Sequence, residues 1–180
     1  MKKFTLMWLM FCATISAQSK VVLSSLFTDN MVLQQQTDVQ MWGMASPGKE
    51  VVIRPSWSPK TYTVRTKATG EWRTTLRTPA AGGPCLSDGE ELILRDILIG
   101  EVWFCAGQSN MEMPLMGRAN QPIDEAVDMI VRAKPTRPIR ICTIEQAGAR
   151  LPQRNCRAQW MKNTSETVAK TSATAYFFAD

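Results

Sequence analysis

Between Lys20 and about Asp96, short runs of β-branched and aromatic residues alternate with turn-forming residues. The runs are VVLSSLF, VQMWG, KEVVIRPSW, TYTVRTK, EWRTTLR and ELILRDI, and the turn formers include Asp29-Asn30, Ser46-Pro47-Gly48, Thr69-Gly70 and Ala81-Gly82-Gly83-Pro84. Turn signals at this spacing are typical of a small β-sandwich. Alternation along Trp72, Thr74 and Leu76 predicts strands with one face on a core and the other in solvent.

Three tryptophans lie in this β-rich part, at Trp42, Trp57 and Trp72. Partly buried tryptophan is common in small sheets, so we expect all three to be core residues. A sugar-stacking role for one of them is the alternative interpretation.

The pattern changes after Asp96. Ile97 to Phe104 (ILIGEVWF) is a nearly continuous apolar run, as expected of a strand buried on both faces. A small polar turn follows, and then a predicted helix begins with Asn120 or Gln121 as its N-cap. The apolar face of that helix is predicted to consist of Ile123, Ala126, Val127, Ile130 and Val131.

A second apolar strand is predicted from Ile139 to Ile144, and Trp160 to Asp180 predicts another helix with Thr164 or Ser165 as N-cap. The order strand, turn, helix, strand is typical of a parallel α/β unit. A parallel sheet of two strands cannot cover its own faces, so we expect this unit to be incomplete and the chain to be a truncated product. The predicted fold class is therefore α/β with an N-terminal all-β domain: a β-sandwich over residues 18–96, and the first half of a parallel α/β domain over residues 97–180.

The N-terminus has the layout of a secretory signal peptide over residues 1–17. Lys2 and Lys3 precede the apolar run from Phe4 to Thr14, which is too short to span a bilayer, and small residues follow it. We predict cleavage after Ala17, export to the periplasm or the extracellular space, and no membrane contact after cleavage.

Charge and cysteine content indicate no further partner or metal. The chain has 21 basic and 16 acidic residues, and two of the basic residues lie in the leader, so the excess is too small to indicate nucleic-acid binding. Cysteines 85, 105, 142 and 156 are irregularly spaced and form no metal-binding pattern. We expect mostly free, buried thiols, with Cys142 and Cys156 as the first pair to test for a disulfide.

The chain contains no histidine. It therefore cannot supply a Ser-His or Cys-His catalytic pair, a histidine-ligated metal or an imidazole pH switch from its own residues.

One segment nevertheless has the pattern of a nucleophile turn. A nucleophilic serine needs exposure after a strand and a small preceding residue that lets the backbone turn. The strand Val102 to Phe104 followed by Gly107 and Ser109 meets that description. The alternative is that Ser109 and Asn110 are ordinary turn formers.

Residues 99–115 (IGEVWFCAGQSNMEMPL) closely resemble the nucleophile block of the sialate O-acetylesterase family, a branch of the SGNH (GDSL-like) hydrolases. Met31 to Gln34 resembles the first β segment of that family. Ser172 to Phe178 resembles the helix that follows its second strand.

The resemblance implies an exported serine carboxylesterase that removes O-acetyl groups from sialic acids or related acetylated sugars, without a metal or organic cofactor. Ser109 matches the nucleophile, and its backbone N–H would be one oxyanion donor. Gly107, Gln108 and Asn110 match positions that shape the site. The family's remaining oxyanion donors and its catalytic Asp and His match nothing in this chain, so the chain alone is expected to be inactive.

Two alternatives remain open. In the first, the chain is a noncatalytic carbohydrate-binding β-sandwich module. In the second, it is a nonfunctional truncated product. The sequence indicates neither the particular acetylated sugar nor the oligomeric state.

Overall fold

The computed structural model describes residues 20–88 and 92–180, so the predicted signal peptide lies outside the described residues. The strands are β1 (Val22–Leu23), β2 (Val32–Gln34), β3 (Asp38–Met44), β4 (Glu50–Pro55), β5 (Tyr62–Arg65), β6 (Glu71–Arg77), β7 (Gly82–Asp88), β8 (Ile93–Gly100), β9 (Arg140–Ile144) and β10 (Ala158–Lys162). The helices are α1 (Ser109–Glu112), α2 (Ala126–Arg132), α3 (Ser165–Lys170) and α4 (Ala173–Ala179). Among these described helices, none is long and apolar enough to cross a membrane.

The first eight strands form two sheets around one hydrophobic core. One sheet has the antiparallel order β1-β3-β6, and the other has the order β2-β8-β7-β4-β5. In the second sheet β2 runs parallel to β8 and the remaining neighbours are antiparallel. Leu76 and Ile97, one from each sheet, are completely buried in the shared core.

The three tryptophans of this part contact that core. Trp72 is buried, while Trp42 and Trp57 are partly buried and pack against its margin. Trp42 meets Phe27 edge to face with a centroid distance of 4.8 Å. The prediction that they are core residues therefore agrees with the structure, with two of the rings retaining solvent contact.

Strand β7 covers Gly82–Asp88, where the sequence indicated a turn. Glycine and proline are strong turn formers locally, but pairing with the buried β8 keeps this segment extended. The ladder between the two strands shifts register on both sides of Cys85, so bulges accommodate these residues. The predicted domain boundary between residues 96 and 97 falls inside β8, because both halves of that strand contribute to the first core.

The predicted parallel pairing of the strand at Ile97 with the strand at Ile139 is wrong. Within the described residues β9 pairs with β10 in antiparallel register, and Cys142 lies opposite Trp160. The sequence interpretation placed residues 160–162 at the start of a helix and so missed β10. Parallel neighbours are usually joined by a crossover helix, whereas antiparallel neighbours need none, and residues 145–157 between β9 and β10 contain no helix.

The helices pack around a second core that includes Leu115, Val168 and Tyr176. Thr164 caps α3 as predicted, and its hydroxyl accepts the Thr167 N–H at 3.2 Å. For α2 the predicted cap was wrong, while Ile123, Ala126 and Ile130 of the predicted face do pack on the second core. The helix starts only at Ala126, after Glu125 with φ of 61°, and it buries Ala126 and Met129.

The apolar face of α2 also differs from the prediction because Val127 is 74% exposed and Val131 is 70% exposed. Met129 is buried in the second core in addition to the predicted Ala126. Two large β-branched side chains face solvent in this structure.

The two cores are joined by polar contacts at Asp96, in the middle of β8. The Asp96 carboxylate accepts from Lys162 Nζ at 2.7 Å and from Arg140 Nη2 at 3.3 Å. Trp160 extends from β10 to the first core, and its Nε1 donates to the Leu26 carbonyl at 2.9 Å. The hairpin β9-β10 is therefore tied to the eight-stranded part on both sides.

The four cysteines of the described residues are unbonded thiols. Cys105 is exposed, which differs from the expectation of burial, and the other three are half-buried. Burial raises the pKa of the Cys142 thiol, and the neighbouring Cys156 raises it further. The pair Cys142 and Cys156 is not joined by a disulfide here.

Candidate nucleophile site

The chain between β8 and Ser109 is an exposed, irregular segment. Strand β8 ends at Gly100, and residues 101–107 form neither helix nor strand. Trp103 is 67% exposed and Phe104 is 82% exposed, so the prediction of a buried strand at Val102 to Phe104 is wrong for this structure. No neighbouring strand in the described part of the chain lies against this segment, and its apolar side chains therefore face solvent.

The start of this segment is held by two glutamines at the end of β2. Gln34 and Gln35 donate to the Glu101 carboxylate at 2.9 and 2.6 Å. The Gln34 side-chain oxygen in turn accepts the Val102 N–H at 2.8 Å. The hydrogen bonds from Gln34 and then Gln35 hold the pKa of Glu101 below its ordinary value. These contacts fix where the chain leaves the sheet.

Ser109 is the first residue of the short helix α1, and it is exposed. The Gln108 carbonyl accepts the N–H groups of Met111 and Glu112 at 2.9 and 3.2 Å, which closes the turn below the serine. Among the residues that the structure describes, no side chain is hydrogen-bonded to the Ser109 hydroxyl.

Gly107 has a steric role in this turn. Its φ is not in the left-handed region. A Cβ atom at this position would lie only 3.2 Å from the Cβ of Met111, closer than side-chain atoms usually approach. The glycine therefore permits close packing of the chain before α1 on the helix itself, whereas the sequence analysis assigned it a sharp backbone turn.

Helix α4 supports α1 from one side. Thr174 Oγ1 donates to the Asn110 carbonyl at 3.3 Å, and the Ala173 N–H donates to the Met113 carbonyl at 2.8 Å. Trp103 and Phe178 meet edge to face with a centroid distance of 5.1 Å.

Two segments that separately resembled known family motifs, one around Ser109 and one at Ser172 to Phe178, are thus in contact. Thr174 and Gln34 were not predicted from the sequence to support the site. Their only signal was that each lies in or beside a segment of family resemblance.

The nearby charged side chains already have partners. The Glu112 carboxylate accepts a hydrogen bond from the Gln146 amide, and its backbone carbonyl accepts one from Arg118 Nη2 at 3.1 Å. Within the described ranges no group of three or more cysteine, aspartate and glutamate side chains is placed to hold a metal ion. The arrangement is that of an exposed hydroxyl on a supported turn, without a base in contact with it.

A comparison with known proteins finds sialate O-acetylesterases among the relatives of this chain. No family model matches the chain. It is 26% identical over 162 residues to the sialate O-acetylesterase of Pongo abelii and 25% identical over 161 residues to that of Homo sapiens. Each alignment covers 81% of this chain and 30% of the relative. The chain therefore spans about a third of the length of these relatives.

The fold is similar to the crystal structure of a carbohydrate acetylesterase from Xanthomonas citri, with a TM-score of 0.79 and 30% sequence identity. The similarity covers 88% of this chain and 36% of that one. Relatedness to the esterases thus extends over both cores, beyond the block that first suggested it. These findings confirm the resemblance found in the sequence: the chain is similar to sialate O-acetylesterases over about four fifths of its length, and its fold is similar to that of a carbohydrate acetylesterase.

Proposed function

We propose that this chain is the nucleophile-bearing part of an exported serine esterase that removes O-acetyl groups from sialic acids or related acetylated sugars. The names of its relatives support the substrate class. The observation that carries the proposal is Ser109, exposed at the start of α1 on a turn held by α4 and by the Gln34–Glu101 contacts.

In the proposed reaction the Ser109 hydroxyl oxygen attacks the acetyl carbonyl carbon. The new C–O bond forms as the carbonyl becomes an oxyanion, and the hydroxyl proton passes to a base. The Ser109 backbone N–H is one donor to that oxyanion. Collapse expels the sugar oxygen, which takes up the proton, and water then hydrolyses the acetyl-serine to acetate and free serine.

Gly107, Gln108 and Asn110 shape this turn in the proposal. Gly107 allows the chain to pass close to Met111, the Gln108 carbonyl closes the first turn of α1, and the Asn110 carbonyl receives the Thr174 hydroxyl. None of the three is assigned a proton-transfer role.

The base is the missing component. A serine hydroxyl without a general base is a weak nucleophile at neutral pH, and loss of one triad member costs several orders of magnitude in rate. The 180 residues include no histidine, so we propose that the chain on its own is close to inert. We also propose that the β-rich part of the chain up to the end of β8 is a β-sandwich domain and that the part after β8 belongs to an SGNH-type hydrolase domain.

A chimaera tests the proposed role of Ser109. Residues 20–180 would replace the corresponding segment of the Xanthomonas citri carbohydrate acetylesterase, and acetate release from acetylated sugars would be measured. We expect activity in the chimaera and a loss of roughly 10³-fold or more in kcat on Ser109→Ala. Ser165→Ala is the matched control, because Ser165 is also an exposed first residue of a short helix.

Two outcomes would contradict the proposal. A folded Ser109→Ala chimaera with undiminished acetate release would remove Ser109 from the mechanism. Acetate release by the isolated chain that depends on Ser109 would show that the chain does not need an external base.

A further inference from the structure

A cavity of about 390 Å³ opens where β1, β3 and β6 meet the connection between β9 and β10. Its lining combines the partly buried indole of Trp42 with the charged residues Lys67, Glu71, Arg73 and Arg154. Aromatic rings beside charged and hydrogen-bonding groups are the usual composition of a site for a polar ring-shaped ligand. None of these residues belongs to the turn that carries Ser109.

The outer wall of this cavity is fixed by hydrogen bonds. Trp42 Nε1 donates to the Arg154 carbonyl at 3.1 Å, and the Asn155 side-chain oxygen accepts from Ser24 Oγ at 2.9 Å and from the Ser25 N–H at 3.0 Å. Residues more than a hundred positions apart in the sequence thus build one wall. The connection between β9 and β10 that closes the cavity is therefore held in place by hydrogen bonds to β3 and to the segment after β1.

The charge balance inside the cavity is positive. Glu71 forms an ion pair with Arg154 and so has a basic partner already. Lys67 and Arg73 have no ion-pair partner among the residues that the structure describes. Arg73 lies directly opposite Trp42 across the β3-β6 ladder, so the two side chains leave the same face of the sheet, and both residues line the cavity. Such a pair can bind a carboxylate and an apolar ring face at the same time.

We propose that this cavity binds a carboxylated sugar, with the sugar ring against Trp42 and its carboxylate paired with Arg73 and Lys67. The proposal rests on the proposed function only for the choice of an acidic sugar, because it needs neither Ser109 nor a catalytic base. It places a glycan-binding subsite in the β-rich part of the chain and assigns the sugar-stacking role to Trp42.

The test is binding of N-acetylneuraminic acid to the full chain, measured by saturation-transfer NMR and by tryptophan fluorescence. The methyl ester of the same sugar has the same ring and no charge, so it isolates the contribution of the carboxylate. We expect the unmodified chain to bind the ester about tenfold more weakly than the acid, because the ester lacks the charge-assisted contact. We expect Arg73→Gln to bind the acid about tenfold more weakly than the unmodified chain does, for the same reason. Trp42→Phe should weaken acid and ester alike.

Arg65→Gln and Trp57→Phe are the matched controls, because Arg65 is an exposed arginine of β5 and Trp57 a half-buried indole, both outside the cavity. Both should bind the acid as the unmodified chain does, and unfolding midpoints verify that all variants are folded. Equal affinity for acid and ester, unchanged binding by folded Arg73→Gln, or no saturable binding of the acid would each overturn the proposal. Ser109→Ala should bind the acid normally, so a failed esterase assignment and a failed binding site give different results.

Discussion

Asp96 should contribute measurably to stability because it links the two cores. Its carboxylate contacts Lys162 and Arg140, which lie on β10 and β9. Its backbone has φ of 56°, in the left-handed region that asparagine also tolerates. Asp96→Asn therefore removes the charge and keeps the side-chain size and the backbone preference.

The expected cost follows from the exposure of the two partners. The Lys162 side chain is 45% exposed, so its ion pair resembles a surface pair and contributes at most about 1 kcal/mol. The Arg140 side chain is only 6% exposed, and removing the partner of a buried charge costs about 3–5 kcal/mol when both members are buried. Because Asp96 is itself 24% exposed and water screens it, we expect Asp96→Asn to lower the free energy of unfolding by about 1–2 kcal/mol in total.

The effect should depend on pH in a specific direction. The hydrogen bond from Lys162 and the charges of Arg140 and Lys162 outweigh burial and hold the pKa of Asp96 below its ordinary value. A carboxyl group with a lowered pKa in the folded state stabilises the fold above its unfolded pKa, about 3.9, and loses that contribution as the pH falls through the folded pKa. The difference between the unmodified chain and Asp96→Asn should therefore be full near neutral pH and shrink in acid.

Urea unfolding at a series of pH values measures this difference, with Asp124→Asn as control for loss of an exposed carboxylate without a partner in the described structure. The control should change the midpoint little. If Asp96→Asn matches the unmodified chain near neutral pH, or if its deficit stays constant in acid well below the ordinary aspartate pKa, the Asp96 contacts do not join the cores as argued.

Three further outcomes are expected. Leu76→Ala should lower the free energy of unfolding by about 2–5 kcal/mol in urea titrations, because Leu76 is fully buried; a loss below about 1 kcal/mol would mean that the first core is not packed as described. Tyr176→Phe should cost about 1–3 kcal/mol, since it leaves the buried Asn163 side-chain oxygen without the Tyr176 hydroxyl that donates to it at 2.9 Å; no loss in thermal unfolding would contradict this. A thiol reagent should modify the exposed Cys105 before Cys142, whose pKa burial raises; mass spectrometry with the reverse order would refute the assigned exposures.

The strands that the sequence predicted well are those whose alternation is local. In β6 the buried positions Trp72 and Leu76 alternate with exposed ones, and no distant information is needed to see this. Partners were harder to predict, because an apolar run such as Ile139 to Ile144 specifies an extended chain and leaves open which neighbour it pairs with. The choice of β10 over β8 as its neighbour depends on a polar connection whose path is set by contacts such as that of Asn155 with Ser24.

In the candidate site, too, local sequence patterns were predicted well and contacts between distant residues were not. Ser109 and Gly107 were identified from a contiguous motif, since a turn next to a helix start is specified by adjacent residues. Thr174 and Gln34, which hold that turn, lie more than sixty positions away, and only the folded chain brings them to it. The exposure of Trp103 and Phe104 could not be foreseen either, because the apolar composition of a segment does not reveal whether anything packs against it.

Strand β8 makes the position of the proposed nucleophile depend on the first core. Its residues Ile97 and Ile99 are buried between β2 and β7, and the chain leaves the strand directly into the segment that leads to Ser109. The contacts of Gln34 with Glu101 and Val102 fix that exit from β2. The β-rich part is thus part of the support of Ser109, and a variant that loosens β2 should displace the serine without altering any residue around it.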